Sequence, residues 1–195
     1  MSIEGKKADF REKVGALSAA LLRLGTGELA ELRRMETNGP GCAAFWQLAA
    51  ACGFIGEVNR TDTWMRIVKF MALLAPKGER TRVLPVHDPA RRLGAALCDG
   101  GNPDWGAGVE TRPFLSETRL MRFLSEPPRQ RAETLVRFAR TLATNRDPRS
   151  GVDCNEIAAL LLFPDKKTNL QDVARAYYRR LDPAMRRAKK EEKPA

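Results

Sequence analysis

Apolar residues recur at helical spacing in one segment after another, and nearly every segment stops at a glycine or proline cluster. Phe10, Val14, Leu17, Leu21 and Leu24 form the first stripe, at the spacing of an amphipathic helix. Gly25-Thr26-Gly27 interrupts it, and ELAELRRM (28–35) begins a second, short helix. Asn38-Gly39-Pro40-Gly41 is a firm break. CAAFWQLAAACGF (42–54) is nearly all apolar, so this helix is expected to be buried on most sides. Thr61 or Asp62 is placed to cap the next helix, with the stripe Trp64, Ile67, Val68, Met71 and Leu74. PKGERTRVLPVHDP (76–89) reads as a loop, ARRLGAALCD (90–99) as a short helix, and the glycine-rich stretch 100–113 as a domain boundary.

Beyond that boundary Ser116 is expected to cap a helix to about Glu126, and Pro127-Pro128 starts another running to about Thr144. Asp153-x-x-Glu156 and Thr168-x-x-Gln171 have the form of capping boxes and open two more. The last of these carries Leu170, Val173, Ala174, Tyr177 and Leu181 on one stripe, and Asp182-Pro183 ends the packed part. No segment alternates as a strand does, and no solenoid repeat is present. The expected fold is all-α: two small helical bundles packed side by side, over 1–102 and 110–183, followed by a frayed charged tail over 184–195.

Thirty-four Lys and Arg face 24 Asp and Glu, a formal charge of +10, which favours anionic partners, nucleic acid before membrane. No apolar run approaches the roughly 20 residues of a membrane span, and the first fifteen residues lack the apolar core of a signal peptide. A soluble cytoplasmic protein is the expectation. Cys42, Cys52, Cys98 and Cys154 have no CxxC spacing and read as buried thiols.

Eight arginines and no lysine lie between Arg119 and Arg149. The guanidinium fork matches phosphate oxygens, although a solvated face would have the same composition. At about 100° per residue, Arg119 and Arg122 project opposite the arc of Leu120, Met121, Phe123 and Leu124. Arg129, Arg137 and Arg140 project opposite Leu135, Val136, Phe138 and Leu142, and Glu133 is placed to pair with Arg137. Arg33, Arg34 and Arg60 stand at helix ends, where a phosphate backbone is within reach. Tyr177 falls on a core stripe, so packing is the expectation there over base stacking.

Catalytic chemistry is hard to build from this chain. The one histidine, His87, lies in a loop and reads as surface decoration. Gly25-Thr26-Gly27 lacks the length and the Lys-Ser/Thr of a phosphate-binding loop. No convergent carboxylates for a two-metal site are evident. The expectation is a binder: no enzyme, no cofactor and no metal.

In order, GELAELRRM, AFWQLAA, VNRTDTWMRIVKFMALLA, ARRLGAAL, LSETRLMRFL, LVRFARTLA, VDCNEIAALLLF and ARAYYRRLD resemble the CasB family. That family is the small subunit of the type I-E Cascade complex of CRISPR antiviral defence. The resemblance spans about residues 10–183; the loop at 100–113 is long for the family and the tail after Pro183 has no counterpart. It implies two copies stacked head to tail against the backbone and large subunits. It also implies a non-catalytic role: holding the crRNA–target DNA hybrid and the displaced single-stranded DNA so that the R-loop stays open. The implied nucleic-acid contacts are Arg34, Arg60, Arg119, Arg137, Lys166 and Lys167, with Arg33, Arg66, Arg122 and Arg140 beside them. The alternative from the residues alone is a helix-turn-helix DNA-binding regulator, with 153–163 and 169–181 as the helix pair and Arg175, Arg179 and Arg180 on the second.

Overall fold

The first stripe is buried as its spacing predicts: Phe10, Val14, Leu17 and Leu21 lie on the inner face of α1 (Ile3–Leu21). The computed structural model describes residues 3–76, 86–106, 112–147 and 149–191, and only the backbone over 3–9 and 184–191. Much of the expected loop 76–89, part of the stretch 100–113 and the end of the tail therefore lie outside the described residues. Among those described, nine α-helices and no strand occur, so the chain is all-α.

α2 (Thr26–Arg34) starts where the glycines end α1, and the Glu28 carboxylate accepts the Gly25 N–H at 2.6 Å. α3 (Ala43–Ala51) buries Ala44, Phe45, Leu48 and Ala49. Its other face is open, with Trp46 39% exposed, against the expectation of burial on most sides. The reason is composition: that face is mostly alanine, which costs little to leave in water, and Trp46 donates its indole N–H to the Pro40 carbonyl at 3.0 Å. A 3-10 turn, Val58–Arg60, precedes α4 (Thr61–Leu74). That turn puts Arg60 at the N-cap position, so neither Thr61 nor Asp62 caps the helix; the Thr61 hydroxyl donates back to the Val58 carbonyl. α4 buries Met65, Phe70 and Ala72 besides its expected stripe, because α1, α2, α7 and α8 pack around it.

α5 (Leu93–Asp99) ends on Gly100, whose φ of 68° is the left-handed geometry a helix C-terminus favours. It lies along α9 (Lys167–Glu191) in the most extensive helix contact among the described residues. α6 (Glu117–Ser125) rests on α7 (Pro128–Asn145), with Phe123 and Phe138 ring centroids 5.1 Å apart. Its buried seam is narrow, Leu120 and Phe123, and this leaves Met121 half exposed instead of in the core arc. α8 (Cys154–Leu162) packs on α1 and α4. One connected core runs from Phe10 to Leu181 and includes helices from both sides of the 100–113 stretch.

Two capping expectations resolve differently. Asp153 does cap α8, accepting the Asn155 N–H at 2.9 Å, but Glu156 turns away and accepts the Leu93 N–H at 2.6 Å. It thus satisfies a free donor at the start of α5 while pairing with Arg92. Thr168 falls inside the first turn of α9, because the helix already begins at Lys167. α9 continues to Glu191 past Pro183, which has no N–H to give. Leu181 is the last buried side chain described. On that helix Ala176 is buried instead of Ala174, since α5 meets it at Val173, Ala176 and Tyr177.

His87 is no surface decoration. Val86–Asp88 pairs with Val152, and His87 Nδ1 accepts the Cys154 N–H at 3.1 Å. That bond places the ring proton of a neutral imidazole on Nε2, 3.2 Å from the Asn155 amide. The Asn155 amide oxygen is a buried atom left without a partner; turning the amide over brings that oxygen to Nε2–H as its acceptor.

Candidate nucleic-acid interface

α4 and α7 run side by side in the same direction. Near their starts both meet the turn between α8 and α9: the Arg60 guanidinium lies 5.6 Å from the Phe163 ring centroid, and Arg131 donates to the Pro164 carbonyl at 3.0 Å. Near their ends Arg146 donates to the Leu74 carbonyl. Between these ties the outer edges of the two helices leave a groove of about 280 Å³. Arg66 and Lys69, three residues apart on one face of α4, form one wall; Arg137 and Arg140, equally spaced on α7, form the other. Glu133 is the one carboxylate among the described residues lining it, and Thr37 lines it as well.

The groove's cations are held in different ways. Lys69 donates to the Met35 carbonyl at 2.6 Å, which brings the end of α2 to the edge of the groove. Burial holds the Lys69 ammonium below its usual range, the Arg140 charge lowers it further, and Glu36 opposes both. Arg137 donates to the Thr134 hydroxyl at 2.6 Å, so the expected Glu133–Arg137 ion pair does not form. Arg66 and Arg140 make no hydrogen bond or ion pair among the described residues. Their donors stay available to an anion.

Arg66, Arg137 and Arg140 are therefore brought together, whereas Arg34 is exposed at the end of α2 and is not among the lining residues. Arg33 turns inward and donates to the Ala72 and Ala75 carbonyls at 2.8 Å each, closing the end of α4. Arg60 and Lys166 meet at Phe163, with Arg60 also 3.6 Å from Glu57 and the Lys166 N–H bonding the Phe163 carbonyl at 3.1 Å, while Lys167 is exposed at the start of α9. Arg119 and Arg122 are exposed on α6, away from the groove lining. Of the other arginines on α7 and just after it, Arg131 and Arg146 are buried and bind carbonyls at helix ends, Pro164 and Glu126 for one, Leu74 and Ser150 for the other. Arg149 pairs with Asp147. Sequence reasoning missed Lys69; its signal was the spacing of three from Arg66 on an otherwise apolar helix.

No family model, curated protein or solved structure matches this chain.

The thiols offer no nucleophile at neutral pH. Burial pushes Cys98 up to about 12, helped by the neighbouring Asp99 charge, and it raises Cys42, Cys52 and Cys154 above their ordinary value of 9.0. Tyr177 is also raised, first by burial, and its hydroxyl donates to the Leu115 carbonyl at 2.5 Å, so its role is packing. These raised groups stabilise the fold fully below pH 9, and that stabilisation is lost as pH rises, at about 1.4 kcal/mol per unit for each thiol ionised only when unfolded. Lys69 works in the opposite sense, because its lowered value favours the fold as pH rises towards 10.5. With several raised groups against one, thermal unfolding is expected to be flat from pH 6 to 8 and several degrees lower by about pH 10.5. Cys98→Ala is expected to shrink that drop; an unchanged drop would remove Cys98 as its source.

Proposed function

We propose that this chain is a non-catalytic nucleic-acid-binding subunit that grips phosphates in the α4–α7 groove. The observation that carries the reading is the convergence of Arg66, Lys69, Arg137 and Arg140 around a single carboxylate, with Arg66 and Arg140 unengaged. Guanidinium donors directed at phosphate oxygens bind strongly and without sequence preference. Combined with the resemblance to the CasB family, this supports a place as the small subunit of a type I-E Cascade complex. In that place it would steady the crRNA–target hybrid and the displaced strand. R-loop formation is nearly balanced in energy, so a few backbone contacts are enough to tip it.

The helix-turn-helix alternative is less well supported. α9 lies with one face against α5, Arg180 is turned to Asp99, and Arg175 pairs with Asp172.

The test is single-stranded DNA and RNA binding by the purified chain as a function of salt. Arg66→Ala with Arg140→Ala removes two phosphate partners and no internal bond. The log–log salt slope is expected to flatten by about 1.4, and affinity at low salt to fall about tenfold or more, with unchanged thermal stability. An unchanged slope would take the groove out of the binding surface. Tight, salt-resistant binding to one duplex sequence would instead favour the regulator.

A further inference from the structure

A second basic site, sharing no lining residue with the groove, lies where the start of α5 meets α9. It is a cleft of about 380 Å³ walled by Arg91, Arg92, Arg175, Arg179 and Arg180. Ala90, Ala95 and Ala176 line it between the arginines, and their small side chains leave it room. Asp172 is the one carboxylate among the described residues of its lining.

Two of the guanidiniums are fixed from behind. The Asp99 carboxylate, fully buried, receives Arg91 at 2.7 Å and Arg180 at 2.8 Å. Arg180 is clamped further by the Pro103 and Trp105 carbonyls at 2.7 and 2.9 Å and by the Trp105 ring at 5.6 Å. Arg92 is held by Glu156. These side chains need little further ordering to meet a ligand, and that ordering is a main cost of binding. Donors remain: Arg179 is exposed and makes no bond among the described residues. Arg175 has only an exposed pair with Asp172, 2.8 Å away, the kind that contributes about 0–1 kcal/mol and yields easily to a stronger anion.

Five guanidiniums against Asp99, Glu156 and Asp172, with Asp153 also acting on Arg92, leave the cleft net cationic. An internal phosphodiester carries one negative charge, whereas a terminal phosphate or pyrophosphate group carries about two near neutral pH. We propose that this cleft is a binding site for a terminal phosphate dianion, such as a nucleoside polyphosphate or the phosphorylated end of a strand. The fixed arginines form its back wall, and Arg175 and Arg179 close over the ligand. This site goes beyond the groove reading and does not depend on it.

The experiment is calorimetric titration and thermal shift of the full chain with pyrophosphate, with ATP, and with short oligonucleotides bearing either a 5′-phosphate or a 5′-hydroxyl. Pyrophosphate is expected to bind and raise the melting temperature. Arg175→Ala with Arg179→Ala is expected to weaken it about a hundredfold, as the loss of two charge-assisted contacts implies. Arg66→Ala with Arg140→Ala is expected to leave it unchanged, which separates this site from the groove. Stronger competition by ATP identifies a nucleotide, and by the 5′-phosphorylated strand alone a strand end; either supports the proposal. Equal competition by the 5′-hydroxyl strand or by polyglutamate would overturn it, as would the absence of pyrophosphate binding. If the double variant fails to fold, Arg179→Gln alone supplies the same readout, since that side chain has no partner to lose.

Discussion

Gly94→Ala is expected to cost about 3 kcal/mol or more, lowering the melting temperature by roughly 6–12 °C. A Cβ at this position would stand 2.0 Å from the Val173 carbonyl oxygen and 2.7 Å from the Tyr177 nitrogen. Both are backbone atoms of α9, so no side-chain rotation relieves the overlap and the two helices must part. Parting them loosens the packing of Leu93, Leu97, Val173 and Tyr177, all buried. The same substitution at Gly15, on α1, meets nothing within 4 Å and is expected to raise stability by about 0.5–1 kcal/mol. Thermal unfolding of the pair is the measurement. A Gly94→Ala protein melting within about 2 °C of the parent would mean that α5 and α9 do not cross this closely.

Asp99→Ala is expected to be comparably severe, about 3–5 kcal/mol. The carboxylate is fully buried and serves three donors: Arg91, Arg180 and the Gly101 N–H at 2.9 Å. Removing it leaves two guanidiniums facing each other across a cavity. Asp99→Asn keeps an acceptor for the glycine N–H but loses the charge, so its cost is expected to fall between the parent and the alanine variant. Chemical denaturation of the three proteins checks the order. Equal stability of Asp99→Ala and the parent would show that solvent reaches both arginines.

The helices were legible in the sequence because burial imposes a period that residues such as Phe10, Val14 and Leu17 record directly. The exposed faces bearing Arg119, Arg122, Arg137 and Arg140 followed from the same projection. Projection fails where a side chain answers to a neighbouring element. Arg33, Arg131 and Arg146 look like surface cations, yet each is drawn to the free carbonyls where another segment ends. Glu156 sits three residues after a cap and would close a local box, but the unpaired N–H of Leu93 takes it instead. Lys69 was hidden by the apolar run around it. His87 was misread because its partners, Cys154 and Asn155, are far along the chain. The groove and the cleft are tertiary for the same reason, since each takes its walls from helices well separated in sequence.

The union of α5 with α9 also sets the order of events during synthesis. α5 is complete at Asp99, but its partner begins at Lys167, roughly 70 residues later, or about 4–14 s at ordinary elongation rates. α1 to α4 already have one another to pack against in that interval, whereas Leu93, Ala96 and Leu97 have no α9 to cover them. A nascent chain paused between α8 and α9 would therefore present that apolar strip to chaperones or to neighbouring chains. Rare-codon pauses in this window should lower the yield of folded protein more than the same pauses placed earlier.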